Sequence, residues 1–132
     1  MSGKVLLIGG AGYIGTVVTR HLIEKNFNVT CLDNLIYNNL YSLSEFKKNK
    51  KFNFVLGDLR NEVLTNKLLS KCDAVIILAG LVGDPITKKY PEISEKINNE
   101  GTKKLISSCK NKKIEKLIFV STCSNYGLNE TD

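Results

Sequence analysis

The sequence predicts an α/β fold: a doubly wound parallel sheet of about five strands, in the order 3-2-1-4-5, with helices on both faces. Short apolar runs alternate with helical patterns along all 132 residues, and such alternation is typical of parallel sheets with right-handed crossovers. Several of the runs are almost continuously apolar, as expected for strands covered on both faces. No repeat, linker or low-complexity segment divides the chain, so we expect one domain over residues 1–132.

Each predicted element can be placed along the chain. The candidate strands are the apolar runs at 4–9, 28–33, 52–58, 73–80 and 116–122. The candidate helices lie near 13–25, 61–70 and 92–110, with a weaker one near 43–48. The helix at 92–110 is well marked, because Pro91 suits a first helical turn. Its apolar stripe is formed by Ile93, Ile97, Leu105 and Ile106, with Gly101 in the same row.

Composition limits the class of protein. The hydrophobic fraction of 42% and the charged fraction of 24% are typical of an ordinary soluble globular protein. No apolar run approaches the length of a membrane span, and the first residues lack a signal-peptide pattern. The four cysteines have no paired spacing, which predicts reduced thiols in a cytoplasmic protein and neither a metal site nor a disulfide framework.

The net charge of +6 raises nucleic-acid binding as an alternative. The positive charge comes almost entirely from lysines, clustered at 47–51 and 110–113, and the only arginines are Arg20 and Arg60. Arginine is the usual residue for planar recognition of bases and phosphates, and no aromatic residues interleave the lysine clusters. We therefore predict no nucleic-acid partner.

A glycine-rich turn, IGGAGYIG at 8–15, joins the first predicted strand to the first predicted helix. It fits G-x-G-x-x-G from Gly10 and G-x-x-G-x-x-G from Gly9, and both patterns share Gly12 and Gly15. Such glycines allow a tight turn, a close approach of the backbone to a pyrophosphate, and close packing of helix on strand. The N–H groups at the helix start would then face the phosphates. A tight turn needs glycine in any case, so the motif alone is weak evidence.

Two carboxylates follow at the ends of the next predicted strands. Asp33 closes the second strand, where an acid can accept both ribose hydroxyls of an adenosine and would repel a 2′-phosphate; the alternative is a residue that opens a loop. Asp58 could accept a hydrogen bond from an adenine amino group, or could cap or turn the chain before the helix near 61. Strand, turn, helix, strand and acid in this order predict a Rossmann domain that prefers NAD to NADP.

With these residues placed, the chain resembles the N-terminal part of an extended short-chain dehydrogenase/reductase. More narrowly, it is similar to the NAD-dependent nucleotide-sugar epimerases and dehydratases, in their UDP-glucose 4-epimerase-like branch. The likeness covers essentially all 132 residues. It rests on six segments in family order: GGAGYIG at 9–15, LDN at 32–34, GDLRN at 57–61, LAGLVGDP at 78–85, NNEGT at 98–102 and STCSNYG at 121–127.

The resemblance implies site residues one by one. Tyr13 and Ile14 would lie beside the pyrophosphate, Asn34 would join Asp33 at the adenosine ribose, and Leu59 would flank the adenine. Thr122 matches the catalytic Ser or Thr that hydrogen-bonds the substrate oxygen. The cofactor-binding residues implied are Gly9, Gly10, Gly12, Tyr13, Ile14, Gly15, Asp33, Asn34, Asp58, Leu59, Leu78, Ala79, Gly80 and Asn98.

Some positions depart from the family pattern. Ile8 replaces the Thr or Ser that often precedes the glycine turn, and Val82 stands where UDP-glucose 4-epimerases have a lysine near the cofactor ribose. Cys123 and Ser124 occupy the positions at which sugar 4,6-dehydratases have the Asp and Glu that eliminate water. Since a thiol and a hydroxyl cannot replace that acid and base, a 4,6-dehydratase is disfavoured, and epimerase or ketoreductase chemistry remains.

The catalytic base implied by the resemblance is a Tyr with a Lys four residues later, and no tyrosine of this chain has that lysine. Family spacing would place the pair beyond Thr122, past the C-terminus, together with later strands and a substrate domain. We therefore expect an incomplete NAD-binding domain of a nucleotide-sugar epimerase or related oxidoreductase that works by transient hydride transfer, inactive by itself. The alternative is a non-catalytic module that senses NAD(H) or scaffolds a partner.

The missing parts of the family fold also predict self-association. A later strand would pair with the edge of the strand at 116–122, and a later helix would cover part of the helix at 92–110. Without them, we expect an open strand edge and, if it faces the missing helix, an open apolar stripe at Ile93, Ile97 and Leu105. A homo-oligomer is the expected result.

Overall fold

The predicted sheet and its strand order are confirmed. The structure is a computed structural model that describes residues 3–122. The strands are β1 (Lys4–Ile8), β2 (Asn28–Asp33), β3 (Phe52–Leu56), β4 (Ala74–Ile77) and β5 (Lys116–Phe119). They form a parallel sheet in the order β3-β2-β1-β4-β5. The strand order reverses between β1 and β4, as in a doubly wound α/β fold.

Most strands end earlier than the apolar runs suggested. β4 stops at Ile77, whereas the run continued to residue 80. The backbone N–H groups of Leu78 and Ala79 both donate to the carbonyl of Ile8, at 2.8 and 3.0 Å. Because the neighbouring strand β1 also ends at Ile8, the ladder has no further partner there, and the apolar residues beyond it turn into a loop.

The helices that connect the strands agree only in part with the prediction. Those near 13–25 and 61–70 are present, and the weak stretch near 43–48 is a 3-10 helix that begins earlier. A short helix after β4 was not expected, and the helix predicted at 92–110 changes to a π turn in its middle. The elements are α1 (Tyr13–Glu24), the 3-10 helix (Leu40–Phe46), α2 (Glu62–Leu69), α3 (Asp84–Lys89), α4 (Pro91–Glu95), the π turn (Lys96–Gly101) and α5 (Thr102–Lys110).

The larger core lies on the sheet face covered by α2, the π turn and α5. Ile97 and Leu105 are 6% and 2% exposed and pack against strand residues such as Val75. The expectation of an open stripe at Ile93, Ile97 and Leu105 is therefore wrong, because most of this stripe covers the sheet; Ile93, 37% exposed, is its one exposed member. A smaller core on the opposite face contains Ala11, Cys31, Leu43 and Phe46.

The edge strand β5 is exposed along its whole length. Within the described residues it pairs only with β4. Ile118, Phe119 and Val120 are each about half exposed, at 50%, 48% and 49%. The prediction that this edge is open holds for the part of the chain that the structure describes. In that same part, no helix is long and apolar enough to cross a membrane.

Candidate functional site

A cleft opens at the carboxyl ends of β1 to β4, beside the point where the strand order reverses. In doubly wound sheets this is the usual place for a ligand. Of the residues predicted to bind the cofactor, the cleft is lined by Gly9, Asp33, Asn34, Asp58, Leu59, Ala79 and Gly80. It is also lined by residues that the sequence analysis did not select: Ile8, Leu32, Ile36, Gly57, Leu81 and Ile97.

Three glycines of the turn are required by the fold itself. A Cβ on Gly10 would lie 2.5 Å from Sγ of the buried Cys31. Gly9 has φ +83°, and a Cβ added to it would lie 2.6 Å from the backbone nitrogen of Ala79. A Cβ on Gly15 would lie 2.5 Å from Cα of Gly10, so helix α1 packs directly on the turn there. These positions need glycine whether or not a ligand binds.

Gly12 is different. It is the N-cap of α1, with φ −66° and no side-chain cap, and a backbone of this kind suits any residue. A Cβ at Gly12 would meet only the carbonyl oxygen of Gly9, at an ordinary 3.5 Å. No contact in the described chain calls for a glycine here. Because Gly12 has no side chain, the start of α1, with its unpaired backbone N–H groups, is left uncovered at this position.

Tyr13 and Ile14 form the first turn of α1. Tyr13 is 85% exposed and Ile14 is 45% exposed, and neither lines the cleft. They lie on the surface next to the open helix start. The predicted contact with a pyrophosphate stays a prediction for both.

Asp33 links the end of β2 to the glycine turn. Its Oδ2 accepts a hydrogen bond from the N–H of Ala11 at 3.0 Å, and its Oδ1 accepts one from the N–H of Leu35 at 2.8 Å. A carboxylate oxygen can accept two such bonds, so each oxygen keeps capacity for one more donor. Asp33 thus opens the loop, as the alternative interpretation had it, and keeps acceptor capacity for a ligand, so its bonds to an adenosine ribose stay a prediction.

A second connection to the glycine turn was missed by the sequence analysis. The carbonyl of Ala11 accepts hydrogen bonds from Asn39 Nδ2 at 2.6 Å and from Ser42 Oγ at 2.7 Å. Together with Asp33, these groups hold both the N–H and the C=O of Ala11. No local pattern could have revealed this, because the contacts join the turn to a 3-10 helix about thirty residues further along the chain.

Asp58 is paired with Arg60. Oδ1 of Asp58 accepts from the backbone N–H of Arg60 at 2.8 Å and from its Nε at 2.9 Å, and Oδ2 accepts from its Nη2 at 2.7 Å. The pairing with Arg60 lowers the pKa of Asp58, and burial opposes this only in part. Asp58 therefore shapes the turn, whereas the N-cap of α2 is Asn61, which accepts from Leu64 N–H.

Asn34 and Leu59 stand on either side of Asp58. The side-chain oxygen of Asn34 accepts from the N–H of Ile36, and its Nδ2 approaches Asp58 Oδ2 at 3.5 Å. Leu59 is 8% exposed and belongs to the larger core while also lining the cleft. Both residues lie in the cleft at the carboxyl ends of β2 and β3, and their contacts with an adenosine stay predictions.

On the β4 side, Ala79 and Gly80 line the cleft, while Leu78 does not. Asn98, in the π turn, uses its side chain to hold the neighbouring loop residue Leu81. Its Oδ1 accepts from the N–H of Leu81 at 2.8 Å, and its Nδ2 donates to the carbonyl of Leu81 at 2.7 Å. Asn98 therefore fixes the loop after β4, and a direct contact with a cofactor remains a prediction.

Thr122 follows β5 at the same carboxyl edge of the sheet and is exposed. It does not line the cleft. Its predicted neighbours Cys123 and Ser124 lie outside the described residues. The structure thus brings half of the predicted cofactor residues together in the cleft, and Thr122 is not among the residues that line it.

The chain matches the model of the NAD dependent epimerase/dehydratase family over residues 5–132. It is 33% identical over 130 residues to a UDP-glucose 4-epimerase of Klebsiella pneumoniae, and the alignment covers 94% of this chain and 92% of that sequence. The sequence expectation about the family is therefore confirmed.

Solved structures of epimerases are also similar to this chain. The chain superimposes on a UDP-N-acetylglucosamine 4-epimerase from Methanobrevibacter ruminantium M1 with a TM-score of 0.89 and 30% identity, over 98% of this chain and 41% of that one. For a UDP-glucose 4-epimerase from Brucella ovis in complex with NAD, the TM-score is 0.85, the identity 25%, and the coverage 98% of this chain and 39% of that one. The chain also spans only 36% to 39% of several other curated relatives.

Proposed function

Because the chain belongs to the NAD dependent epimerase/dehydratase family, we propose that it is the NAD-binding portion of a nucleotide-sugar epimerase or related sugar-nucleotide oxidoreductase. When bound, NAD supplies the capacity to take up a hydride from a sugar carbinol and return it. The observation that carries the proposal is Gly12, which keeps the start of α1 open although no contact in the described chain requires glycine there. A pyrophosphate suits such an opening.

The residues of the cleft and of the adjoining start of α1 would hold the two halves of a dinucleotide. The glycine turn and the first N–H groups of α1 would hold the pyrophosphate, with Tyr13 and Ile14 beside it. Asp33 would accept the hydroxyls of the adenosine ribose with its remaining acceptor capacity, and Asp58 would accept from the adenine. The loop of Ala79 and Gly80, held by Asn98 through Leu81, would support the other half of the cofactor.

Asp33 supports a preference for NAD over NADP. Its two oxygens are fixed by Ala11 and Leu35, so the carboxylate cannot turn away from a group placed on the ribose. Free hydroxyls would donate to it, whereas a 2′-phosphate would bring a second negative charge to the same place. The preference therefore follows from a fixed charge rather than from the shape of the cleft.

Calorimetric titration of the purified 132-residue chain with NAD(H) and NADP(H) tests the proposal. We expect tighter binding of NAD(H), and a loss of about 1–3 kcal/mol of NAD binding energy in Asp33→Ala. A matched control is Asp73→Ala, since Asp73 also accepts from a backbone N–H, that of Lys4 at 2.7 Å, but at the opposite edge of the sheet. Equal or reversed preference in the unmodified chain would contradict the proposal.

The catalytic part of the proposal assigns Thr122 the role of orienting the sugar hydroxyl. A threonine hydroxyl does not take up a proton at neutral pH, and no tyrosine of this chain is followed by a lysine four residues later. We therefore expect no sugar-nucleotide turnover by this chain alone. Turnover by the purified chain, free of host enzyme, would contradict this role. Cys123 and Ser124 in place of an acid and a base favour epimerase over 4,6-dehydratase chemistry.

The proposal includes a reducing, cytoplasmic setting. The described cysteines, Cys31, Cys72 and Cys109, are free thiols. Burial raises the pKa of Cys31 to about 12 and that of Cys72 to about 11, so these thiols are unreactive at neutral pH. A homo-oligomer is also part of the proposal, supported by the exposed edge of β5, because an open strand edge can pair with another chain.

A non-catalytic NAD(H)-sensing module has less support, because the relatives compared above are epimerases. The coding sequence that follows residue 132 decides between the two. A Tyr-x-x-x-Lys motif within about a hundred residues, on the usual scale of domain sizes, is expected for the enzyme. Its absence would favour the module.

A further inference from the structure

The loops after β2 and β3 are joined by a side-chain network around Asp58. Arg60 donates to both oxygens of the Asp58 carboxylate, with Nε at 2.9 Å from Oδ1 and Nη2 at 2.7 Å from Oδ2. The backbone N–H of Arg60 adds a third bond to Oδ1 at 2.8 Å. Such a forked pair fixes the plane of the carboxylate as well as its position.

The side chain of Arg60 is itself packed against a neighbouring element. Its stem runs against the π turn, where a Cβ on Gly101 would lie 2.9 Å from Cγ of Arg60. Arg60 lines a second groove, formed with Lys89, Tyr90 and Lys96, and does not line the cofactor cleft. Asp58 lines the cleft, and 28% of its side chain is exposed. Arg60 therefore binds the carboxylate of Asp58 from the side that faces away from the cleft.

The hydrogen bonds to Asp58 leave only one of its carboxylate oxygens able to accept a further donor. Oδ1 accepts two hydrogen bonds, which uses its capacity. Oδ2 accepts one short bond from Arg60, and its other neighbour is Asn34 Nδ2 at 3.5 Å, the outer limit for a hydrogen bond. Because Asn34 and Asp58 both line the cleft, Oδ2 is the oxygen that can accept a donor from a ligand.

We propose that the Arg60–Asp58 pair makes the cleft specific for a 6-aminopurine dinucleotide, with Arg60 as the positioning residue. The inference rests on the proposed function, in which Asp58 accepts from the adenine, and it goes further by naming Arg60 as the residue that fixes this carboxylate and so sets the selection of the base. The N6 amino group of adenine donates, so it can bind Oδ2. A 6-oxo group accepts only, and it would face an ionised oxygen that also only accepts.

The fixed orientation is what gives Arg60 its effect on specificity. A 6-oxopurine carries a donor at N1, and a carboxylate that can rotate could turn to meet it. The fork of Arg60 prevents this rotation, because turning Asp58 would break both side-chain bonds at once. The pairing also lowers the pKa of Asp58, which keeps the carboxylate ionised and without a proton to offer to a 6-oxo group.

The test is calorimetric titration of the purified chain with NAD and with nicotinamide hypoxanthine dinucleotide, which differs only in having a 6-oxo group. We expect the unmodified chain to prefer NAD by about tenfold or more. Arg60→Met should reduce that preference to about threefold or less, and Asp58→Asn should abolish or reverse it, since an amide can also donate. Arg60→Lys, which cannot form the fork, should give an intermediate ratio.

Lys89→Met is the matched control, because it removes a positive charge from the same outer groove without touching Asp58; its ratio should equal that of the unmodified chain. Both dinucleotides are titrated into one preparation, so a partly unfolded variant still gives a valid ratio. If NAD binds and Arg60→Met leaves the ratio unchanged, the inference is overturned while the proposed function stands. If the folded, unmodified chain binds neither dinucleotide, the proposed function fails with it.

Discussion

The two halves of the carboxyl edge of the sheet differ in how firmly they are built. In the glycine-turn half, at the ends of β1, β2 and β3, Ala11 donates a hydrogen bond to Asp33 and accepts one each from Asn39 and Ser42. Arg60 holds Asp58 there by donating to its carboxylate. In the β4–β5 half, Asn98 holds the loop residue Leu81, and β5 is exposed together with residues 120–122, the last that the structure describes. The comparison indicates that the part of the edge we propose for the adenosine and pyrophosphate is firmly held, while the part we propose for catalysis is far less enclosed.

The largest difference in stability between the two halves should appear when one glycine in each half is replaced by alanine, which adds one methyl group. Gly15→Ala places a Cβ 2.5 Å from the backbone of Gly10, and we expect it to lower the free energy of unfolding by about 3 kcal/mol. Gly83→Ala, in the β4–β5 half, meets no atom closer than 4.0 Å but must keep φ +99°. It should cost about 2 kcal/mol from backbone strain alone. Urea denaturation measures both, and equal costs would contradict the difference in packing.

Asn98→Ala tests the connection that the β4–β5 half makes to its loop. The N–H and the carbonyl of Leu81 would both lose their partner, so we expect a loss of about 2 kcal/mol of stability. Asn99→Ala is the matched control, because that neighbouring amide donates to Glu95 on the exposed surface, and we expect almost no change. If thermal unfolding showed the two variants to be alike, the structural role of Asn98 would be refuted.

The smallest effect concerns the pH dependence contributed by Asp58. Its pKa is lowered by Arg60 in the folded protein, so the pair adds stability above the pKa of an unfolded aspartate, about 3.9, and loses it as the pH falls through the lower folded value. Since the pair is partly exposed, we expect less than about 1 kcal/mol at neutral pH. The stability difference between the unmodified chain and Asp58→Asn should shrink below about pH 4; a difference that grows there would have the wrong sign.

Local patterns were enough to predict the framework of the fold. The strand order and the positions of the glycine turn, Asp33 and Asp58 follow from the alternation of apolar runs and helices, and each of these features is encoded within a few consecutive residues. Because parallel strands end at one edge of a sheet, residues that follow different strands could be assigned to one site before their contacts were known.

The details that depend on distant contacts could not be predicted. In the π turn at Lys96–Gly101, Asn98 accepts a hydrogen bond from Leu81, and Gly101 packs against Leu59 and Arg60. The sequence of the turn itself is typical of an ordinary helix. The apolar stripe was assigned to the wrong neighbour, since helical periodicity shows that Ile97 and Leu105 share a face but not what covers that face. Leu35, with φ +55°, carries no sequence feature that favours a left-handed backbone.

The most direct test of the central claim is NAD titration of Gly12→Ser. The new Cβ would meet only the carbonyl of Gly9 at 3.5 Å, and serine is a favoured N-cap for α1, so the melting temperature should stay the same or rise. If the pyrophosphate lies over the start of α1, the same side chain should weaken NAD binding by about tenfold or more. A folded Gly12→Ser chain that binds NAD as tightly as the unmodified chain would contradict the account.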